Sequence, residues 1–333
     1  MSKLQTSFTE QAGVEYPIIC GAMYPCSNPE LVAAASEAGA LGIVQPLSLV
    51  YVHGHDFLGG LRLIRQLTSK PYGMNIIVER SSKIYEKRMQ EWVDIALEEG
   101  CRFFITALGN PSWVVKKVKA VGGYVYHDVT ERKWADKALE NGVDGLICVN
   151  NRAGGHAGKK SPEELWNELK DLGVPLVCAG GIGEEKDFVN ALKLGYAAVQ
   201  MGTRFIATTE CHEKPNYKDA IVKADEKDIV LTERVTGIPL SVIKTPYVEQ
   251  IGTKVGPIAR FLLQHRLSKP YMRMWYALTS GRRFKQITLH GGTSKDYWQA
   301  GKSVKGINAV ESVKDIIARF AKAALDAKIG VES

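Results

Sequence analysis

The chain has 333 residues, is 45% hydrophobic and 24% charged, and carries a formal net charge of +7. That length admits one large barrel or two ordinary domains, and the composition is that of a globular protein able to bury a full core. No run approaches the roughly 18 consecutive apolar residues of a membrane span, which argues against a helical membrane protein. The first ten residues hold no apolar core of a secretory signal. The six cysteines, Cys20, Cys26, Cys101, Cys148, Cys178 and Cys211, form no CxxC pair. Three of them sit in apolar runs and read as small buried hydrophobes, not as disulfide partners or metal ligands. A cytoplasmic enzyme without a metal, and without a nucleic-acid or membrane partner, is expected. The charge is uneven: residues 254–305 hold eleven Lys or Arg against the single acid Asp296, a local +10 that leaves −3 elsewhere. Such a field attracts anionic ligands or acidic partners, or is a solvated helical face.

In chain order, apolar runs predict strands at 17–22, 41–45, 72–78, 102–107, 123–127, 145–149, 175–179 and 197–201. Helical patterns at 29–38, 85–99, 112–120, 132–141, 161–172 and 184–194 separate them. Many of these helices stop at a glycine, namely Gly39, Gly100, Gly142, Gly173 and Gly195, as a left-handed C-terminal turn favours. Eight strands alternating with helices predict a parallel sheet covered on both faces. An open doubly wound sheet competes with a closed (β/α)8 barrel. The count of eight and the late glycine turns favour the TIM barrel, and Cys20-Gly-Ala-Met23 is not the G-x-G-x-x-G turn of a Rossmann sheet. After Arg204 the rhythm breaks. Residues 211–295, with Phe261, Leu262, Trp275 and Tyr276, read as helices without strands, and a last helix at 309–327 returns to the wall. The predicted organisation is a barrel of residues 1–210 and 306–333 with a helical substrate or cap domain at 211–305.

Two glycine turns follow the seventh and eighth strands: Ala179-Gly180-Gly181-Ile182-Gly183 and Gln200-Met201-Gly202-Thr203-Arg204. In a barrel these loops lie side by side at the C-terminal face, a common phosphate site. Glycine lets backbone N–H groups approach phosphate oxygens with no Cβ in the way, and Thr203 adds a hydroxyl. After the sixth strand, Asn150-Asn-Arg-Ala-Gly-Gly-His-Ala-Gly158 frames His156 with glycines, placing a group that titrates near neutrality over the barrel mouth. His127, ending the fifth strand, is expected to point at the same face. His53, His55, His212, His265 and His290 lack such framing and are expected at the surface. Asn75 ends the third strand, where its amide can both donate to and accept from a polar ring edge or cap a loop. Gly21-Ala22-Met23 would let a flat ring lie close to the backbone.

Together the pieces 17–23, Pro71-Tyr-Gly-Met-Asn75, Ala153-Gly-Gly-His-Ala-Gly158, Ala179-Gly-Gly-Ile-Gly183 and Gln200-Met-Gly-Thr-Arg-Phe205 resemble the nitronate monooxygenase family, formerly called 2-nitropropane dioxygenases. They also resemble the related FMN-dependent enoyl-ACP reductases and NADH:quinone reductases. The resemblance implies FMN, its phosphate at Gly180, Gly181, Gly202 and Thr203, its ring near Ala22, Met23 and Asn75, with Gly155, Ala179 and Gln200 also lining the cofactor. It makes His156 the proton acceptor or substrate anchor. Cys20 stands where the family often has Gln, and Arg152 where many members have Glu, both expected near the flavin or its substrate side. Arg152 and Lys302 are the substrate-side candidates, although a plain surface lysine is an equal reading of Lys302. The leading activity is oxidation of an alkyl nitronate with O2. The alternative is NAD(P)H-dependent reduction of an enoyl thioester on an acyl-carrier protein, or of a quinone. A non-catalytic reading would use the basic aromatic run at 271–276 as an interfacial anchor.

Overall fold

The computed structural model describes residues 4–78, 83–234, 237–256, 261–262, 265 and 297–329. The aromatic run 271–276, His290 and most of the basic stretch 254–305 lie outside them. Eight parallel strands close a barrel in chain order: β1 (Ile18–Cys20), β2 (Leu41–Val44), β3 (Tyr72–Ile77), β4 (Phe103–Ala107), β5 (Tyr124–Val129), β6 (Gly145–Val149), β7 (Leu176–Ala179) and β8 (Ala198–Met201). β1 pairs with β8 through Ile19 and Gln200, which completes the ring. Every predicted strand forms within about two residues of its expected bounds, the usual uncertainty of element ends.

Strand parity sorts the side chains. Ile19, Ile43, Ile105, Tyr126, Ile147 and Val177 pack inside the barrel, while Ile18, Cys20, Met74, Phe104, Cys148 and Val199 face outward against the helices. All six cysteines are buried thiols, as their apolar surroundings suggested. A short α1 (Ser7–Ala12), started by a Thr6 capping box, closes the N-terminal end. Its Phe8 is fully buried and meets Phe103 and Tyr126 edge-on at 5.6 and 6.1 Å. Burying that ring contributes about 2 kcal/mol. Tyr126 Oη donates to Gln11 Oε1 at 2.8 Å across the same floor, so the lumen opens only toward the C-terminal ends of the strands.

The outer ring comprises α2 (Pro29–Glu37), α3 (Phe57–Leu67), α4 (Lys83–Glu98), α5 (Ser112–Lys119), α6 (Arg132–Glu140), α7 (Pro162–Leu169) and α8 (Glu185–Leu194). The glycines expected to end helices, Gly39, Gly100, Gly142, Gly173 and Gly195, all have positive φ. After β8 comes the short α9 (Thr203–Ile206), where Arg204, 1% exposed, donates to Ala309 O at 2.8 Å and pairs with Glu311 at 3.2 Å. That buried cation fastens the returning chain, and α12 (Val313–Asp326) then packs against α2 and α8.

Between them the chain departs from the sequence reading. Residues 211–295 were expected to hold helices without strands. The described part holds α10 (Pro215–Lys223), a 3₁₀ turn at Glu226–Asp228, β9 (Ile229–Thr232), β10 (Leu240–Ile243) and α11 (Pro246–Ile251). β9 and β10 pair antiparallel. The edge of β10 bridges to Gly155 and to Gln299, so the excursion is stitched by sheet hydrogen bonds to the loop that follows β6.

Candidate active site

The turn after β7 is folded back against the loop after β6. Gly180 has φ +118°, and a Cβ there would stand 2.5 Å from Ala153 N and from Asn150 Oδ1. Only glycine fits that close, left-handed bend. Asn150, fully buried, donates from Nδ2 to Gly180 O at 3.0 Å and accepts from Arg152 N at 2.8 Å, locking the two loops together. Its own N–H donates to Ala179 O at 3.0 Å. At Gly181 a Cβ would meet the Arg152 side chain, with Nε at 2.6 Å, so Arg152 lies directly over the turn. Gly202 differs: the nearest atom to its would-be Cβ is Met23 Sδ at 3.4 Å. That is a shallow cradle bordered by the residue expected beside a flat ring. Thr203 Oγ1 accepts from Gly301 N at 3.0 Å, which leaves its hydroxyl proton available to a ligand.

Register decides which strand ends face the lumen. Asn75 pairs with inward Ile105, donates to Ile105 O at 3.3 Å and therefore points inward, as expected. Gln200 and Ala22 also lie on the inward side, and the Gln200 Cγ occupies the space a Cβ on Gly21 would take, at 2.9 Å. Two expectations fail on parity. His127 is the outward neighbour of inward Tyr126, so it sits between sheet and helices and not at the mouth. Its Nδ1 is 2.8 Å from Thr106 Oγ1. The Thr106 proton is already given to Tyr126 O at 3.1 Å, so Nδ1–H donates, and burial pushes this imidazole down to about 4. Cys20 likewise faces outward and takes no part in the mouth.

The inward position at the end of β5 belongs to Asp128, registered against Ile147, and sequence reasoning did not single it out. Its Oδ1 is sealed from solvent with no hydrogen-bond partner, and so is Gln200 Oε1. Burial pushes the Asp128 carboxyl up to about 7. Buried polar atoms are normally paired because leaving one unpaired costs about 1–3 kcal/mol. Asp128 and Gln200 are both only half-buried, so the rest of each polar side chain lines the lumen and fits a ligand with a polar ring edge. With the open cradle at Gly202, the residues present suit a phosphorylated planar cofactor.

His156 lies on the loop that follows β6. Gly155 O accepts from Ser241 N at 2.8 Å, so β10 fixes the loop. The His156 side chain is reached by solvent, yet enough protein surrounds it that desolvation holds its pKa below the ordinary imidazole value. It is therefore neutral near pH 7 and suited to accept a proton. The two expected substrate-side cations converge through an acid that was not anticipated. Arg152 Nη1 and Nη2 each reach Glu226 at 3.0 Å, and Lys302 Nζ lies 3.6 Å from the same carboxylate. The Arg152 hydrogen bonds hold Glu226 below the usual carboxylate range. The cluster keeps one net positive charge. Between α7 and α8 a pocket of about 660 Å³ runs up to Arg152, Gly180, Gly181 and Lys302. Only the separation in sequence hid Glu226.

A closed barrel whose catalytic-type groups gather at the strand C-termini, with a glycine cradle after β7 and β8, defines a TIM-barrel enzyme. The chain belongs to the nitronate monooxygenase family, whose model matches residues 5–322, and it is an oxidoreductase. It is similar to a (3aS,4S,5R,7aS)-5-hydroxy-7a-methyl-1-oxo-octahydro-1H-indene-4-carboxyl-CoA dehydrogenase of Rhodococcus jostii, 30% identical, covering 78% of this chain and 72% of that protein. A probable nitronate monooxygenase of Staphylococcus saprophyticus is 28% identical over 80% of this chain and 86% of its own length. Among solved structures, FabK from Thermotoga maritima superposes with a TM-score of 0.79 at 28% identity, covering 98% of both chains. Nitroalkane oxidase from Streptomyces ansochromogenes shares the fold, with a TM-score of 0.76 at 17% identity over 97% of this chain and 99% of its own. Among the described residues no helix is long and apolar enough to cross a membrane.

Proposed function

We propose that the chain is an FMN-dependent oxidoreductase that oxidises alkyl nitronates with O2. Gly181, Gly202 and Thr203 would hold the phosphate, while Ala22, Met23, Asn75, Gly155, Ala179 and Gln200 would line the ring. Bound FMN would supply the electron acceptor. The chain itself orients the substrate, shields it and manages its proton. What supports the reading is one loop after β6, tied to β10 at Gly155, that carries both His156, whose pKa burial lowers, and Arg152, which shares Glu226 with Lys302. A neutral imidazole carries one N–H donor and one acceptor nitrogen to offer a nitronate, which has already lost its carbon proton, and a net positive charge favours that anion. The segment at 211–305 would serve as the cap over the substrate side, since β10 and the Glu226 turn already touch the His156 loop.

A second reading is reduction of an enoyl thioester or a quinone by NAD(P)H. The full-length similarity to FabK and the 660 Å³ pocket ending at two cations favour it, because carrier-bound acyl groups and pyridine nucleotides are polyanionic. Anaerobic mixing separates the two. Nitronate should bleach the reconstituted flavin. Bleaching by NADH or NADPH, with no response to nitronate, would establish the reductase instead.

A further inference from the structure

Three strands of the barrel end in polar side chains that face the lumen, Asn75 on β3, Asp128 on β5 and Gln200 on β8. Asn75 donates to Ile105 O. Asp128 Oδ1 and Gln200 Oε1 are sealed from solvent and unpaired. Neither sealed atom meets a ligand, but a negative charge on Asp128 would find no hydrogen bond at its sealed oxygen. The residue is only half-buried, so the rest of the carboxyl is accessible. The oxidised isoalloxazine ring carries one N–H donor on its pyrimidine edge, and its other polar atoms accept. Those accepting atoms need donors, and a carboxyl becomes one only by keeping its proton.

We propose that Asp128 remains a neutral carboxylic acid at the barrel mouth and donates a hydrogen bond to the bound cofactor. The proposal rests on the FMN reading above. The neighbourhood favours the neutral form. β4 carries no acid or base, and on β6 only the outward thiol of Cys148 can titrate, itself held protonated by burial. On β5, Tyr124 and Tyr126 share the inward side below Asp128, and His127 faces outward. On the outer face, α5 pairs Lys117 with Asp94 and Lys119 with Asp144, and α6 pairs Arg132 with Asp136 and Asp171 while Lys133 and Lys137 lie over Trp134. Of the β6 loop above, Arg152 is paired with Glu226 and His156 is neutral near pH 7. Among the described residues, no hydrogen bond or ion pair joins a cation to Asp128.

The test titrates FMN into the full-length apoprotein by flavin fluorescence, from about pH 5.5 to about pH 8.5, for wild type, Asp128→Asn and Asp128→Leu. With the carboxyl at about 7, the donor form falls about tenfold between pH 6 and pH 8. Wild-type affinity should weaken by that factor relative to Asp128→Asn, whose amide donates at every pH. The second ionisation of the FMN phosphate, near pH 6, is common to both proteins and cancels in the ratio. Asp128→Leu should bind weakly and match the flat profile of Asp128→Asn. On the wild-type holoprotein alone, infrared difference spectra should show a carboxylic-acid band that persists from pH 6 to about pH 8, because a hydrogen bond donated to the cofactor favours the protonated form. Identical pH profiles in wild type and Asp128→Asn, tighter wild-type binding above pH 7, or no acid band overturns the proposal. Wild type that quenches no flavin at any pH removes the FMN reading itself, and the Asp128 role with it.

Discussion

Gly202→Ala tests the cradle without disturbing the barrel. The residue has φ −111° and ψ −71°, so its conformation does not require glycine. The new methyl would meet only Met23, with Sδ at 3.4 Å and Cγ at 3.6 Å, and a flexible thioether gives way easily. The exchange should change apoprotein stability by no more than about 1 kcal/mol, which for a chain this long moves the melting temperature by about 3 °C or less. A phosphate oxygen approaching the same N–H would instead meet the methyl. Losing one hydrogen bond to a charged group costs about 1.5–3 kcal/mol, which weakens FMN by about 10- to 150-fold. Gly180→Ala is the contrast, because its Cβ would strike Ala153 N at 2.5 Å and damage the packing of the β6 loop. Flavin fluorescence titration and thermal melting of the apoproteins read the two effects separately. Wild-type FMN affinity in Gly202→Ala, with the melting temperature unchanged, would refute the phosphate role of this turn.

His156→Asn should retain FMN while turnover falls roughly 100-fold, the scale of a lost proton-transfer group. Because burial lowers this pKa, the wild-type rate should fall only as pH drops below the ordinary histidine range, and the variant should lack that acid limb in steady-state rates. The buried neighbours His127 and Asp128 oppose each other in stability. His127 has its pKa depressed to about 4, so the unfolded chain binds its proton first and stability falls as pH drops from about 6.5 toward 4. Asp128, raised to about 7, contributes stability that is complete below the unfolded carboxyl value of about 3.9 and is lost as pH rises through 7. The two should nearly cancel between those limits. Urea melts across pH should show stability rising with pH in Asp128→Asn and falling with pH in His127→Gln, and unchanged slopes would place these side chains in more polar surroundings. Glu226→Gln frees Arg152 and Lys302 from their shared carboxylate. KM for a nitronate should drop about threefold at low ionic strength and return to the wild-type value in high salt, whereas an unaltered KM would put both cations away from the substrate.

The barrel was legible because each strand is a compact apolar run and most intervening helices end in a glycine stop. What stayed hidden was mostly parity and long-range partnership. His127 and Asp128 are adjacent in sequence, and only the inward placement of Tyr126 shows that the acid, not the imidazole, faces the lumen. A carboxylate ending an otherwise apolar strand was the available signal. Glu226 became relevant only when the fold brought it to Arg152, 74 residues away. α3 is absent from the predicted helices, and its adjacent Gly59 and Gly60 weaken a helical pattern. Gly60 is instead demanded by packing, since a Cβ there would lie 2.6 Å from Leu49 Cδ1, while Asp56 caps the helix. The β9–β10 pair has apolar and β-branched strand composition, with Gly237 and Pro239 in the connection, but lay in a stretch whose surroundings suggested helices. Thr6 and its capping box could have announced α1, whose six residues are too few for a periodicity argument.

Cofactor identity is measured most directly on full-length protein reconstituted with a mixture of FMN and FAD, washed, denatured and examined by mass spectrometry and visible spectrum. We expect a yellow protein that releases FMN in near one-to-one amount, and whose flavin bleaches when an alkyl nitronate is added without oxygen. Release of FAD, or a colourless protein after reconstitution, would contradict the reading of the glycine turns and of the polar lumen side chains together.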